Sequence, residues 1–160
     1  MVDKYETFYI TTTRFNNYTF KENKKWREKH NWKGCIYGCN KKMPENIPYM
    51  AQVYVLEMNN DTNQVMGIGL IRNYINPKYK ICIYNSDTNY NRYVYNNGYR
   101  KDRSEINEKL LKALEIILFT GYGHYKRGQG ITRIPWKRFG SSGKNIYYLF
   151  QNLFNNKQEL

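Results

Sequence analysis

Acidic residues are scarce in this chain of 160 residues, which has 13 Asp and Glu against 26 Lys and Arg. The resulting net charge of +13 indicates the kind of partner, chiefly nucleic acid or an anionic surface, and not the fold. The imbalance is concentrated, because residues 116–158 contain seven Lys or Arg and no carboxylate. A concentrated positive field predicts a polyanion-binding site more strongly than total charge does.

Cysteine and long apolar runs are also scarce. The three cysteines are Cys35, Cys39 and Cys82. An odd, sparse count without a secretory signal predicts reduced thiols in an intracellular protein. Because no apolar run approaches the ~18 residues of a membrane span, we expect no membrane partner.

Motifs for metals, cofactors and catalysis are missing. The spacing of His30, Cys35 and Cys39 matches no common zinc pattern, and a fourth ligand would have to be Cys82 or His124. The run GSSGKN at 140–145 fails the spacing of a phosphate-binding loop. The carboxylates are too scattered to suggest a two-metal nuclease. The sequence therefore predicts no metal, no cofactor and no catalytic residue.

The most distinctive stretch is Phe119–Lys144, in which cations, aromatic residues and glycines alternate. Cations neutralise phosphates, aromatic faces stack on bases, and glycines let a backbone approach a ligand. A solvated basic loop with some buried aromatic residues is the simpler alternative. The predicted nucleic-acid-binding residues are Lys126, Arg127, Arg133, Lys137, Arg138, His124, Tyr122, Tyr125 and Trp136.

Hydrophobic patterning predicts one α+β domain over residues 1–160. It would have a small, curved, mainly antiparallel sheet or open barrel, flanked by about three helices. The predicted strands are Tyr5–Thr13, Cys35–Tyr37, Tyr49–Met58, Val65–Asn73, Lys80–Asn85, Asn91–Asn96 and Ile131–Ile134. The predicted helices are Phe20–His30, Ser104–Phe119 and Asn145–Phe154.

Two local features refine this pattern. Asp102 and Glu105 form a capping-box pair ahead of the second helix. Gly67 and Gly69 face the same side of a strand, and the bare strip that they leave would admit either packed protein or a flat ligand. We favour packing.

Residues 5–73 resemble PUA-like domains of the YTH and EVE type. The run FYITT at 8–12 looks like the first strand of these domains, and Trp32 is similar to the tryptophan that follows their first helix. Such domains bind nucleic acid and often hold one modified base in an aromatic cage. The resemblance implies that Trp32 is a wall of a base pocket and that Thr11 and Thr12 contact phosphate or base.

We therefore expect a non-enzymatic domain that binds RNA or DNA and reads a modified or flipped base. One alternative is a basic structural, packaging or protein-interaction protein of a large DNA virus, since the abundance of Asn, Lys and Tyr is similar to that of such proteins. A weaker alternative is a nuclease or nucleotide-modifying enzyme that uses His124.

Overall fold

The fold was analysed in a computed structural model, which describes residues 8–78 and 80–154, without the side chains of 141–144. The strands are β1 (Phe8–Phe15), β2 (Cys35–Cys39), β3 (Gln52–Asn59), β4 (Gln64–Arg72), β5 (Tyr93–Asn97), β6 (Tyr99–Asp102) and β7 (Thr132–Arg133). The helices are α1 (Asn17–Lys29), α2 (Glu108–Phe119) and α3 (Gly143–Phe154). None of these helices is long and apolar enough to cross a membrane.

Five strands form the main sheet, in the order β6-β4-β3-β1-β7. The pairing of β1 with β3 is parallel and the other three pairings are antiparallel. Strands β2 and β5 form a separate antiparallel ribbon. The predicted α+β class with three helices is confirmed. The sheet is mixed, and over the described residues it does not close into a barrel.

One side of the main sheet, the helical face, is covered by α2 and α3. Inward-pointing residues of β1, β3 and β4 form a continuous apolar cluster there with both helices. Leu114 and Phe150 are fully buried in it. The 3–4 spacing of apolar residues in α2 predicted that one side of this helix is buried. Ala113 follows that spacing but is exposed, and Leu111 does not follow it but is buried.

The opposite side, the ribbon face, is covered by α1 and by the β2–β5 ribbon. Its apolar cluster is drawn from these elements, from β3 and β4, and from the loop around Ile83. A Cβ on Gly69 would collide with the Tyr37 hydroxyl and with Cys35. A Cβ on Gly67 would lie 2.6 Å from the Arg100 Nη2 atom. The strip left by Gly67 and Gly69 is therefore filled by packed side chains of the protein, as we expected.

A charged pair is buried on the ribbon face. Both guanidinium and carboxylate are almost inaccessible, and Arg100 donates through Nη2 to Glu57 Oε1 (2.7 Å) and through Nε to Oε2 (2.9 Å). Tyr37 donates its hydroxyl to the same Oε2 atom at 2.7 Å. Although burial opposes its charge, the adjacent Glu57 carboxylate raises the pKa of Arg100. This network fixes the position of the Tyr37 ring.

The predicted strand Lys80–Asn85 is wrong, because this segment forms no strand in the described residues. The Asn91 side chain takes the place of a strand partner. Its Oδ1 atom accepts from the Ile83 and Tyr84 amides, both at 2.9 Å, and its Nδ2 atom donates to the Tyr84 carbonyl. A side chain that satisfies backbone groups locally removes the need for a β-ladder.

The start of α2 also differs from the prediction. Asp102 and Glu105 do form a capping box, but it caps the N-terminus of a short 3-10 helix at Arg103–Glu105 and not that of α2. Asn107 caps α2 itself, by accepting from the Lys109 and Leu110 amides. The prediction also missed β6. Residues 5–7 of the first predicted strand lie outside the described residues.

Candidate functional site

A cavity of about 500 Å³ lies on the ribbon face, where β1 ends and α1 begins. Asn16 caps α1 at this point through the Thr19 amide, with a reciprocal bond from the Asn16 amide to the Thr19 hydroxyl. The cavity is lined by Thr13, Arg14, Phe15, Asn16, Tyr18, Thr19, Tyr37, Gly38, Asn60, Tyr84, Ser86, Asp87, Tyr90 and Gly130.

Five of the fourteen lining residues are aromatic. Tyr37 is held by Glu57, and the Tyr84 hydroxyl accepts a hydrogen bond from Asn23 Nδ2 at 3.2 Å. Burial raises the pKa of both phenols, so both stay neutral at physiological pH. Tyr18 differs, because its side chain is 62% exposed and stands at the mouth of the cavity. The deep rings are rigid, whereas Tyr18 is available to contact a ligand.

Seven polar or charged residues are placed among these rings. Asn60 donates through Nδ2 to the Lys126 carbonyl at 2.9 Å. Its Oδ1 atom is buried and has no hydrogen-bond partner among the described residues. The Asp87 carboxylate accepts from the Asn89 amide at 3.1 Å and keeps a second oxygen for other donors. An apolar wall with a few acceptors suits a flat ligand that carries N–H groups.

The basic segment, Phe119–Lys144, borders this cavity through its backbone. The Lys126 carbonyl accepts from two residues of the cavity wall, Arg14 Nη1 at 3.2 Å and Asn60 Nδ2 at 2.9 Å. Gly130 belongs to the wall, with a left-handed φ of 66°. Residues 126–130 therefore form one rim of the cavity.

The predicted cations are not equivalent. Arg127 and Lys137 are exposed, and Lys126 is half-buried. Arg133 lies over the Tyr9 ring at 4.8 Å, and Arg138 lies over the Tyr125 ring at 5.3 Å. Arginines that cover a ring are held in place yet keep their charge.

The other residues of the segment also differ in role. Trp136 packs edge-on against Phe8 in the core of the helical face, with ring centroids 5.6 Å apart, and is half-buried. Tyr122 is fully exposed. His124 accepts from the Lys126 amide through Nδ1 at 3.2 Å, which orders the local turn. The side chain of Lys144 lies outside the described residues.

The three residues predicted for the base pocket are not brought together at this cavity. Thr11 and Thr12 are buried in the sheet, where their hydroxyls donate to the Tyr54 and Leu56 carbonyls, each at 2.9 Å. Trp32 is half-buried and donates through Nε1 to the Cys35 carbonyl at 3.0 Å. These bonds assign structural roles to Thr11 and Thr12, and Trp32 lies outside the cavity wall.

Sequence reasoning missed the rings that do line the cavity. Phe15, Tyr37, Tyr84 and Tyr90 are separated in sequence, and no spacing joins them. The signal in the sequence that could have located the cavity was the Asn-rich turn between β1 and α1. Its meaning depends on the parallel pairing of β1 with β3, because ligands favour the carboxyl ends of parallel strands.

A second hollow, the α1 groove, has a volume of about 770 Å³ and lies between α1 and the segment around Cys82. Tyr18 borders it as well as the cavity. Its lining also includes Lys25, Lys29 and Lys80, which give it a positive character. The remaining lining residues are Glu22, Trp26, His30, Ile81, Cys82, Ile83, Asn85 and Asn96.

Thiol and metal chemistry find little support in the described residues. Burial raises the pKa of Cys35 and of Cys39 to about 12, so both remain protonated thiols at neutral pH. No group of three or more His, Cys, Asp or Glu among the described residues is placed to hold a metal ion. In comparisons with known proteins, no family model, curated protein or solved structure matches this chain.

Proposed function

We propose that this protein is a non-enzymatic nucleic-acid-binding domain that holds one flipped base in the cavity beside β1 and α1. The observation that carries the proposal is a cavity of about 500 Å³, walled by aromatic rings and bordered by a cationic segment without acids. This volume lies within the ~300–1,000 Å³ of small-ligand sites.

Stacking would supply most of the affinity for the base. Tyr18 stands at the mouth, where its ring can cover a base that enters, while Tyr37 and Tyr84 form fixed inner walls. The Asp87 oxygen that has no hydrogen bond within the described residues can accept one from a ring or exocyclic N–H group of a base.

The phosphates would be held by the rim. Within residues 126–130, Arg127 is exposed and Lys126 is half-buried. Lys137 and Arg138 are exposed further along the acid-free segment, where Arg138 covers the Tyr125 ring. Binding of phosphates releases counterions, so the affinity should fall steeply with salt. The Arg14 guanidinium at the cavity wall joins this surface to the base site.

A PUA-like architecture is part of the proposal. Its support is the order of elements: β1 leads through a capped turn into α1, and a β3–β4 hairpin follows. The aromatic base site would then lie at Phe15, Tyr18 and Tyr37 rather than at Trp32.

The experiment compares three variants in binding to fluorescent pools of single-stranded RNA and DNA over a salt series. Tyr18→Ala should weaken binding about 5- to 150-fold, because stacking on one base contributes ~1–3 kcal/mol. Tyr18→Phe keeps the ring and should bind like the wild type. Tyr49→Ala removes a tyrosine that is 72% exposed and lies before β3, away from the cavity, and serves as the matched control.

Two results would contradict the proposal. Absence of affinity for any RNA or DNA at low ionic strength would exclude nucleic-acid binding altogether. Salt-sensitive binding that Tyr18→Ala leaves unchanged would exclude the base site and favour a non-specific packaging role.

A further inference from the structure

The α1 groove continues from the mouth of the cavity along one side of α1. Tyr18, in the first turn of α1, borders both hollows. Lys29 is the last residue of the helix. At ~1.5 Å per residue, the eleven steps from Tyr18 to Lys29 span about 16 Å. The two hollows therefore meet at Tyr18.

The positive charges of this groove are available to a ligand. Lys25 and Lys29 are exposed and lie four residues apart, on the same side of α1, with Lys80 across the groove. None of the three forms an ion pair within the described residues.

The one carboxylate of the groove is already engaged. Glu22 accepts hydrogen bonds from the Asn85 amide at 2.8 Å, from the Ser86 amide at 3.4 Å and from the Ser86 hydroxyl at 2.5 Å. These bonds attach the far wall of the groove to α1. Within the described residues Glu22 forms no ion pair with the lysines of the groove.

An aromatic platform ends the groove. The rings of Trp26 and His30 are stacked, with centroids 4.1 Å apart. His30 Nδ1 lies 2.8 Å from the Trp26 carbonyl, and since a carbonyl only accepts, Nδ1 carries the proton. In this tautomer Nε2 carries no proton and can accept from a sugar hydroxyl or an N–H group of a base.

We infer that the α1 groove holds the phosphate backbone of a single strand on one side of the base in the cavity. The ligand class is thus single-stranded RNA or DNA of several nucleotides. Lys25 and Lys29 lie about 6 Å apart along α1, which is close to two steps of the ~3.4 Å spacing of a stacked strand, and with Lys80 they can contact at most three phosphates. This inference rests on the proposed function, since it extends the strand whose base occupies the cavity.

The test uses two matched double variants of the full chain. Lys25→Gln with Lys29→Gln removes two cations of the groove. Lys21→Gln with Lys24→Gln removes two exposed cations from the same helix that do not line the groove. The net charge changes equally, so any difference between the variants reports the position of the charges.

The measurements are affinities for a single-stranded 12-mer and for mononucleotides, over a salt series. Loss of two phosphate contacts should lower the log–log salt slope by about 1.4, which corresponds to about 25-fold weaker 12-mer binding at 0.1 M salt. Mononucleotide binding to the cavity should not change. The control variant should keep the slope of the wild type.

Equal losses in both double variants would overturn the groove assignment, because the effect would then be one of net charge alone. An unchanged slope in the groove variant, together with weakened binding by Tyr18→Ala, would also overturn it while leaving the proposed function intact. A wild-type protein that binds neither the 12-mer nor mononucleotides would overturn the proposed function first, and the groove assignment with it.

Discussion

The two faces of the main sheet are built by different rules. The helical face is a continuous apolar cluster in which α2 and α3 cover the sheet. The ribbon face also has an apolar cluster, but it contains a buried Glu57–Arg100 pair, two glycines covered by other side chains, and the aromatic cavity. A closely packed apolar layer stabilises the fold but leaves no room for a ligand. The ribbon face has the space and the polar groups of a binding site.

This difference separates stability from function within one sheet. Changes on the helical face should alter the free energy of unfolding and leave nucleic-acid affinity unchanged. Changes around Tyr37 on the ribbon face should alter both, because this ring belongs at once to the buried network and to the cavity wall.

The largest effect should come from breaking the buried charge pair. Arg100→Met leaves the Glu57 carboxylate, which is 3% exposed, without its guanidinium partner, while the Tyr37 hydroxyl still donates to Oε2. Removal of one partner from a buried pair typically costs ~3–5 kcal/mol. Urea unfolding followed by circular dichroism would measure this loss.

The matched control is Arg103→Met, on the neighbouring segment. Arg103 is about one-third exposed, and its contact with Glu115 is longer, at 3.4 Å. We expect a cost of about 1 kcal/mol, because solvent screens this pair. Equal losses for both variants would show that burial of the Glu57–Arg100 pair has no special role.

The helical face supplies the counterpart. Leu114 is fully inaccessible in the apolar cluster, and Leu114→Ala should cost ~2–5 kcal/mol through lost burial and a residual cavity. Affinity of the folded protein for a single-stranded oligonucleotide should equal that of the wild type. A loss of affinity at a temperature where the variant is fully folded would contradict the separation of the two faces.

The same contrast explains how far the sequence was informative. The β3–β4 hairpin and the stripe of α2 were predictable because alternation and 3–4 spacing report one buried face locally. The parallel pairing of β1 with β3 was not predictable, since it joins distant segments through α1 and β2. Local spacing carries no information on which distant strands meet.

Of the candidate site, only the positive charge of the bordering segment could be predicted from the sequence. The acid-free segment indicated a polyanion, and its backbone does border the cavity at Lys126 and Gly130. The aromatic wall comes from Phe15, Tyr37 and Tyr84, which meet only after the ribbon folds over β4. Trp136 was selected for its residue type, and only the fold reveals that it packs in the core.

A smaller effect should distinguish a glycine that packs against other side chains from a glycine that faces open space. A Cβ on Gly69 would collide with the Tyr37 hydroxyl and lie 2.8 Å from Cys35 Sγ. Gly69→Ala should therefore cost ~1–3 kcal/mol and displace the Tyr37 wall, which would weaken oligonucleotide binding. Gly98→Ala is the control, because a Cβ there meets nothing within 4 Å, and it should change stability by less than ~1 kcal/mol. Thermal melts and binding assays would test the pair, and normal binding by Gly69→Ala would show that the wall tolerates displacement.

The smallest effect should appear at acidic pH, at the exposed end of the charged network. Asp102 is half-exposed, and its carboxylate accepts from Ser104 Oγ at 2.9 Å and from Arg100 Nη1 at 3.1 Å. Burial alone would raise its pKa, but the hydrogen bonds from Ser104 and the Arg100 charge lower it below the ordinary value. A lowered pKa in the folded state stabilises the protein above the unfolded-state pKa of ~3.9, and this contribution is lost as pH falls through the folded-state value.

Solvent screening should keep this contribution below ~1 kcal/mol. Asp102→Asn retains an acceptor for Ser104 but removes the charge, so wild type and variant should differ in unfolding free energy at pH 7 and converge near pH 2–3. A constant difference across this range would show that Asp102 acts through packing or hydrogen-bond geometry. In that case the electrostatic contribution of this network to stability would come from the buried Glu57–Arg100 pair and not from its exposed end.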